Sequence, residues 1–190
     1  RSIIMTANEI NEYFKVVLAA LAQLEPELAK KTLHMGHGMV RLTTGKMSSR
    51  TGEIISGVEL LDEVKKRVLE LMKDSKVTKK DEIADQIAVA AVKYSFLRVS
   101  FGKDIVFDVE KSLSTEGESG PYLQYTYART QSVIKKAGDE KTSKESVKTS
   151  KLSKEELSLL RTIAQFQGAI IDAAKNYSPN LVCSYLFDLA

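Results

Sequence analysis

Three times along this chain a hydroxyl residue stands three positions ahead of a glutamate and opens an apolar repeat. The runs are Thr6-Ala7-Asn8-Glu9, Ser56-Gly57-Val58-Glu59 and Ser153-Lys154-Glu155-Glu156. In that spacing the hydroxyl accepts from the N3 amide and the glutamate reaches back to the N-cap amide, so two orphan donors of a new helix are satisfied together. A chain punctuated in this way is expected to be mainly helical. Behind the first box Ile10, Phe14, Val17, Leu18, Leu21 and Leu24 recur at helical intervals, and Pro26 ends or interrupts the helix. Behind the second, Leu60, Leu61, Val64, Val68 and Leu71 share one side. A further helix is expected over 80–97 with Ile83, Ile87, Ala90, Ala91 and Tyr94 inward. Ser119-Gly120-Pro121 starts another, carrying Tyr122, Tyr125, Ala128, Val133 and Ile134 and stopped by Gly138. Behind the third box, where Leu152 and Leu157 sit as a hydrophobic staple, one helix is expected to carry Leu160, Ile163, Ala164, Ile170, Ile171 and Ala174. Ser178-Pro179 reads as N-cap and N1 proline of a last helix with Val182, Tyr185, Leu186 and Leu189.

Extended structure is sparse. Residues 33–43 (LHMGHGMVRLT) read as a strand, and Ile105-Val106-Phe107 as a short extended piece within a loop-like stretch. Residues 139–151 (DEKTSKESVKTSK) hold one core-forming residue, Val147, and read as a mobile linker. Residues up to about 57 therefore look mixed α/β, and the rest a helical bundle.

The net charge of +3 is too small to argue by itself for a nucleic-acid partner. A single cysteine, Cys183, excludes an internal disulfide framework and fits a reducing compartment. No apolar run reaches spanning length, so a soluble, cytoplasmic protein with no membrane partner is expected. The chain opens at Arg1 and stops while a helical pattern is still running, which reads as a piece of a longer protein.

The densest chemistry lies in Gly45-Lys46-Met47-Ser48-Ser49-Arg50-Thr51-Gly52. Such a loop can bring an ammonium, a guanidinium and two hydroxyls to a phosphate. Lys46 supplies a point charge, Arg50 a planar fork, and the flanking glycines freedom to move. Attack on a nucleoside triphosphate builds negative charge on the phosphoryl oxygens, which fixed cations stabilise. By itself the motif reads equally well as an ordinary solvated turn.

A second stretch changes the balance. Phe107-Asp108, Leu113-Ser114 and the run from Glu116 through Gly117-Glu118-Ser119-Gly120-Pro121-Tyr122-Leu123-Gln124-Tyr125-Thr126-Tyr127-Ala128 to Arg129 resemble the arginyl-tRNA synthetase family. Ile83-Ala84-Asp85 and Ala91-Val92-Lys93-Tyr94 look like the intervening family helix, and Leu181-Val182-Cys183-Ser184-Tyr185-Leu186 like the start of an anticodon-domain helix. The resemblance implies the end of a Rossmann-type catalytic domain over 1–57, with the class I signature loop. It implies junction (stem-contact) helices over 58–118, and the opening of a helical anticodon-binding domain over 119–190.

It also implies roles. Lys46, Ser48 and Arg50 become the catalytic candidates. Met47 and Ser49, with His34 and His37 on the strand leading into the loop, become candidates for contact with ATP. The implied substrates are ATP with its Mg²⁺, arginine and the arginine tRNA; no protein-held metal is expected, and a monomer is favoured. One departure stands out: class I synthetases usually place a second lysine where this chain has Ser49, although arginyl enzymes often lack it.

His34-Met35-Gly36-His37 spells the family's other signature, but it is not accepted as that motif. Only eight residues separate His37 from Lys46, and Gly38–Leu42 reads as strand, where the signature needs a strand-to-helix turn. The bland reading of both histidines is structural. Without the true histidine signature the chain alone is expected to be inactive.

Between Arg129 and Lys154 lie eight basic and three acidic residues. Residues 141–151 read as a solvated loop, whereas Arg129, Lys135 and Lys136 fall on a helix and are the better RNA candidates, with Tyr127. Tyr122 and Tyr125 are expected to pack and Tyr127 to be at most half exposed. Asp108, Glu116 and Glu118 read as caps and ion-pair partners rather than an acid/base site. The rival reading is a non-catalytic helical RNA- or protein-binding module derived from a synthetase.

Overall fold

A computed structural model of the chain describes residues 1–43, 56–138 and 152–190. The Gly45–Gly52 run and the stretch 139–151, expected to be a linker, lie outside the described residues. The chain divides into two compact units, Arg1–Ile54 with Val99–Asp108, and Ile55–Arg98 with Val109–Ala190.

The first unit opens with a strand that the sequence reading missed. β1 (Ser2–Ala7) is followed by a 3-10 turn (Asn8–Ile10), α1 (Asn11–Leu24), α2 (Pro26–Lys31) and β2 (Thr32–His37). β1 and β2 run parallel, with Thr6 opposite Gly36 and Ala7 opposite His37, so this is a βαβ unit. Thr6 is thus a strand residue and the expected capping box does not form: the 3-10 turn has Ala7 as N-cap and no side-chain cap. The apolar run Ile3-Ile4-Met5 beside a parallel neighbour outweighs a local capping pattern. Phe14, Val17, Leu18 and Leu21 form the half-buried stripe of α1, whereas Leu24 is exposed. Pro26 interrupts the helix as expected, closing α1 at Leu24 and taking an N-terminal position of α2.

The strand expected over 33–43 is two strands. After β2 the chain passes Gly38-Met39 and re-forms as β3 (Val40–Leu42), which pairs in parallel with β4 (Ile105–Phe107) instead of continuing beside β1. The Met39 amide donates to Asp104 Oδ1 at 2.9 Å, the Ile105 amide donates to the Met39 carbonyl at 2.8 Å, and Arg41 pairs with Asp104 at 3.2 Å. These bonds redirect the backbone's hydrogen bonding to a new partner.

The second unit centres on α4 (Lys80–Leu97). Its seam is small: Ala84, Ala88 and Ala91 are buried, and α3 (Gly57–Leu71) lays Leu60, Val64 and Val68 into the core it packs with α4. Ile83 and Ile87, expected inward, are only half-buried, and Leu71 is exposed. The second capping box forms in full at Ser56 and Glu59. A short α5 (Val109–Ser112) precedes α6 (Gly120–Ala137), where Ser119 caps by accepting from the Tyr122 amide at 3.0 Å and donates to the Ser114 carbonyl. Gly120 meets α4 backbone to backbone, since a Cβ there would stand 2.2 Å from the Ala90 carbonyl oxygen. Arg98 holds Glu118 through its carbonyl at 3.0 Å and its carboxylate at 3.2 Å, as the ion-pair reading of Glu118 expected.

The third capping box also forms, at Ser153 and Glu156, but the single helix expected behind it is two: α7 (Lys154–Ala164) and α8 (Phe166–Asn176). Neither Gly nor Pro marks the break at Gln165, so the apolar period runs straight through it. Ser178 is not the cap of α9 (Asn180–Leu189); its hydroxyl donates to the Asn176 carbonyl, and Pro179 takes the N-cap position. Among the described residues no helix is long and apolar enough to cross a membrane.

α9 is tied to α4 where the Tyr94 hydroxyl donates to the Cys183 carbonyl at 3.3 Å. Burial pushes the Tyr94 phenol up to about 12. An acid whose folded value lies above its unfolded one stabilises the fold below the unfolded value and loses that contribution as pH rises through about 10 to 12. In a spectrophotometric titration of the seven tyrosines, one is expected to resist ionisation to about pH 12, and Tyr94→Phe to remove that late step.

Candidate functional site

In an open parallel sheet ligands gather beyond the carboxyl ends of the strands. Here those ends are Thr6-Ala7 of β1 and Gly36-His37 of β2, side by side. A cavity of about 300 Å³ runs from the β2 end along the groove between α1 and β2, lined by Asn11, Glu12, Lys15, Leu18, His34 and Gly36.

Its polar wall is a relay. Asn8 Nδ2 donates to the Gly102 carbonyl at 2.6 Å, which turns Asn8 Oδ1 toward Asn11, whose Nδ2 donates to it at 3.4 Å. Asn11 Oδ1 is then left buried with no partner among the described residues. It lies over Gly36, where a Cβ would come within 2.0 Å of it. Gly36 is therefore required by the side chain it accommodates. Gly38 is required by backbone: a Cβ there would lie 2.2 Å from the Lys103 carbonyl oxygen. The two glycines of the histidine-rich run thus mark close approaches along a strand, not a strand-to-helix turn.

The two histidines part company. Three residues apart on one strand, they point to opposite faces. His34 lines the cavity; its ring stacks on Phe14 with centroids 4.0 Å apart and planes 4° from parallel, and its Nε2 lies 2.8 Å from Thr6 Oγ1. His37 is exposed, does not line the cavity, and places Nδ1 2.9 Å from the neighbouring Gly38 carbonyl. Lys46, Met47, Ser48, Ser49 and Arg50 lie outside the described residues. Asn8 and Asn11 were missed by the sequence reading, which saw Asn8 only as an interior position of a capping box between Thr6 and Glu9. The signal was available in an apolar run, Ile3-Ile4-Met5, ending in a polar turn.

The RNA candidates all sit on α6 and all are exposed, but not on one face. At about 100° per residue, Tyr127 and Arg129 are about 160° apart, while Lys136 returns to the Arg129 side and Lys135 falls between. The Arg129 guanidinium lies over the Tyr125 ring, 5.6 Å from its centroid. Tyr122 packs at a tilt on Phe187, 5.9 Å between centroids. Tyr125 and Tyr127 are more open than expected, at 50% and 66% exposure. Only the first turn of α6, Gly120 and Pro121, is buried.

A βαβ nucleotide-fold element followed in sequence by an all-helical unit defines the architecture of a class I synthetase at its catalytic-to-anticodon junction. Residues 1–109 match the family model of class I tRNA synthetases (R), catalytic domain, and residues 123–190 match the DALR anticodon binding domain. The chain belongs to the class I (R), or arginyl, tRNA synthetase family. It is similar to the arginine–tRNA ligase of Clostridium kluyveri, 36% identical over 193 residues covering all of this chain and 34% of the relative. It is also similar to that of Bacteroides thetaiotaomicron, 34% identical over 197 residues covering 100% of this chain and 33% of the relative. The structure resembles that of Thermus thermophilus arginyl-tRNA synthetase, with TM-score 0.84 and 30% identity, over 98% of this chain and 31% of that one. The chain spans about a third of the length of the curated relatives it matches.

The glycine geometry carries a prediction. Gly38→Ala must displace backbone and is expected to cost about 2–3 kcal/mol, whereas Gly36→Ala displaces only side chains, the amides of Asn11 and Asn8, and is expected to cost about 1–2 kcal/mol. Chemical denaturation of the two variants checks the order.

Proposed function

We propose that this chain works as part of an arginine–tRNA ligase. In the first step a carboxylate oxygen of arginine attacks the α-phosphorus of ATP, and pyrophosphate leaves. In the second, a hydroxyl of the terminal tRNA ribose attacks the acyl carbon of the adenylate, and AMP leaves. The observation that carries this reading is the family match over residues 1–109, which contains the Gly45–Gly52 loop. Lys46 and Arg50 share the task of steadying the triphosphate, with the Ser48 hydroxyl beside them and Met47 and Ser49 in contact with the nucleotide. His34, on the cavity wall, meets the adenosine side; His37, on the opposite face of β2, is the weaker of the two histidine candidates. Mg²⁺ enters with ATP as part of the substrate.

The partition that goes with this reading has the end of the catalytic domain over 1–57, junction helices over 58–118 and the opening of the anticodon-binding domain over 119–190. The DALR match over 123–190 supports the last of these. Within it Arg129, Lys135 and Lys136 meet tRNA phosphates, and Tyr127 offers a ring to an unpaired base.

Arginine-dependent pyrophosphate exchange in the full-length parent tests the loop. Lys46→Ala and Arg50→Ala are each expected to lower the rate by about two to three orders of magnitude; unchanged rates in both would remove the loop from the mechanism. The chain alone, which lacks an accepted histidine signature, is expected to form no arginyl-adenylate. A complete reading frame with no histidine signature upstream would favour the non-catalytic module instead. For tRNA binding, Lys135→Ala and Lys136→Ala are each expected to reduce the slope of log affinity against log salt by about one contact; slopes equal to that of the unaltered protein would take these lysines out of the interface.

A further inference from the structure

The cavity between α1 and β2 is walled in part by His34, which has two close partners. Its ring lies flat on Phe14, and its Nε2 is 2.8 Å from Thr6 Oγ1. The same Thr6 hydroxyl is 3.2 Å from the Ala7 carbonyl, to which it donates. A threonine hydroxyl has one proton to give, and a neutral imidazole has one donor and one acceptor nitrogen. If Thr6 donates to Ala7, both contacts are hydrogen bonds only when His34 Nε2 carries the proton and donates to Thr6. If the hydroxyl turns to His34, the Ala7 contact is lost. Counting bonds therefore selects the Nε2–H tautomer and leaves Nδ1 as an acceptor. Nδ1 makes no hydrogen bond among the described residues.

We propose that Thr6 and Phe14 are positioning residues for His34, fixing its tautomer and ring plane so that Nδ1 accepts from a hydroxyl or amino group of the nucleoside. This rests on the reading of the cavity as the adenosine side of the ATP site. The strand ladder fixes Thr6 beside His34, since Thr6 pairs with Gly36 and Ile4 with His34 in parallel register. Phe14 arrives from α1 one turn after Asn11, so the helix that lines the cavity also clamps its histidine. A fixed acceptor distinguishes a donor on the ligand from an acceptor in the same place, because an acceptor there would leave two lone pairs facing each other.

The test uses the full-length parent, with selective ¹⁵N-histidine labelling to read the His34 tautomer and pyrophosphate exchange to read KM for ATP, KM for arginine and kcat. In the unaltered enzyme the Nε2–H form should dominate. Thr6→Val keeps the shape and removes the hydroxyl. It should mix the tautomers and raise KM for ATP about three- to tenfold, with kcat and KM for arginine within about twofold, and Thr6→Ser should restore both readouts. Phe14→Leu should raise KM for ATP in the same way and Phe14→Tyr restore it, which keeps the inference testable if Thr6→Val does not fold. An unchanged tautomer or an unchanged KM for ATP in Thr6→Val, while His34→Ala raises that KM, overturns the positioning roles but spares the nucleotide site. An unchanged KM for ATP in His34→Ala overturns the nucleotide reading of the cavity itself.

Discussion

At the carboxyl end of β2 there is no room for a side chain on Gly38, because the carbonyl of Lys103 occupies the place its Cβ would take. That contact is backbone against backbone, and much of the first unit follows from it. It brings Asp104 within reach of the Met39 amide and of Arg41, which turns the chain from one strand partner to another. It also brings the Gly102 carbonyl to Asn8, whose amide then orients Asn11 over Gly36. One tight crossing thus sets the strand order and the polar wall of the cavity.

The helical unit obeys the same constraint in another form. Its centre is a seam of alanines on α4, and the first residue of α6 is a glycine against the Ala90 carbonyl. Small residues let helix axes approach closely, and the larger apolar side chains of α3 then fill the space beside them. Past its first turn α6 is only partly covered, with Gln124 still reaching the Gln86 carbonyl of α4. Tyr122 still packs on Phe187, but Tyr125, Tyr127, Arg129, Lys135 and Lys136 are exposed.

The two chemistries proposed for the chain, steadying a triphosphate and meeting tRNA, both act on phosphate, yet they draw on different physics. A loop that closes on ATP needs cations placed where charge develops and must be free to move. A helix that meets tRNA needs cations already spread along a rigid axis, with affinity set by the counterions released.

Much was written locally. Two of three capping boxes, the helix-stopping glycine at 138, the proline that divides α1 from α2 and the short strand at Ile105–Phe107 are each decided by a few adjacent residues, so a linear reading reaches them. The family was legible for the same reason, since its specific block runs unbroken from Gly117 to Arg129. What the chain alone did not disclose depends on neighbours far away in sequence. Thr6 became a strand residue because β2 lies beside it, and the run 33–43 split because Asp104, sixty-five positions from Met39, claims its amide. His34 was separated from His37 by the pleat of a strand whose register only its partner fixes. Local patterns choose among helix, turn and cap at a cost of about 1 kcal/mol, whereas burial, strand pairing and the exclusion of a side chain by a distant carbonyl cost several times that, and they decided the site.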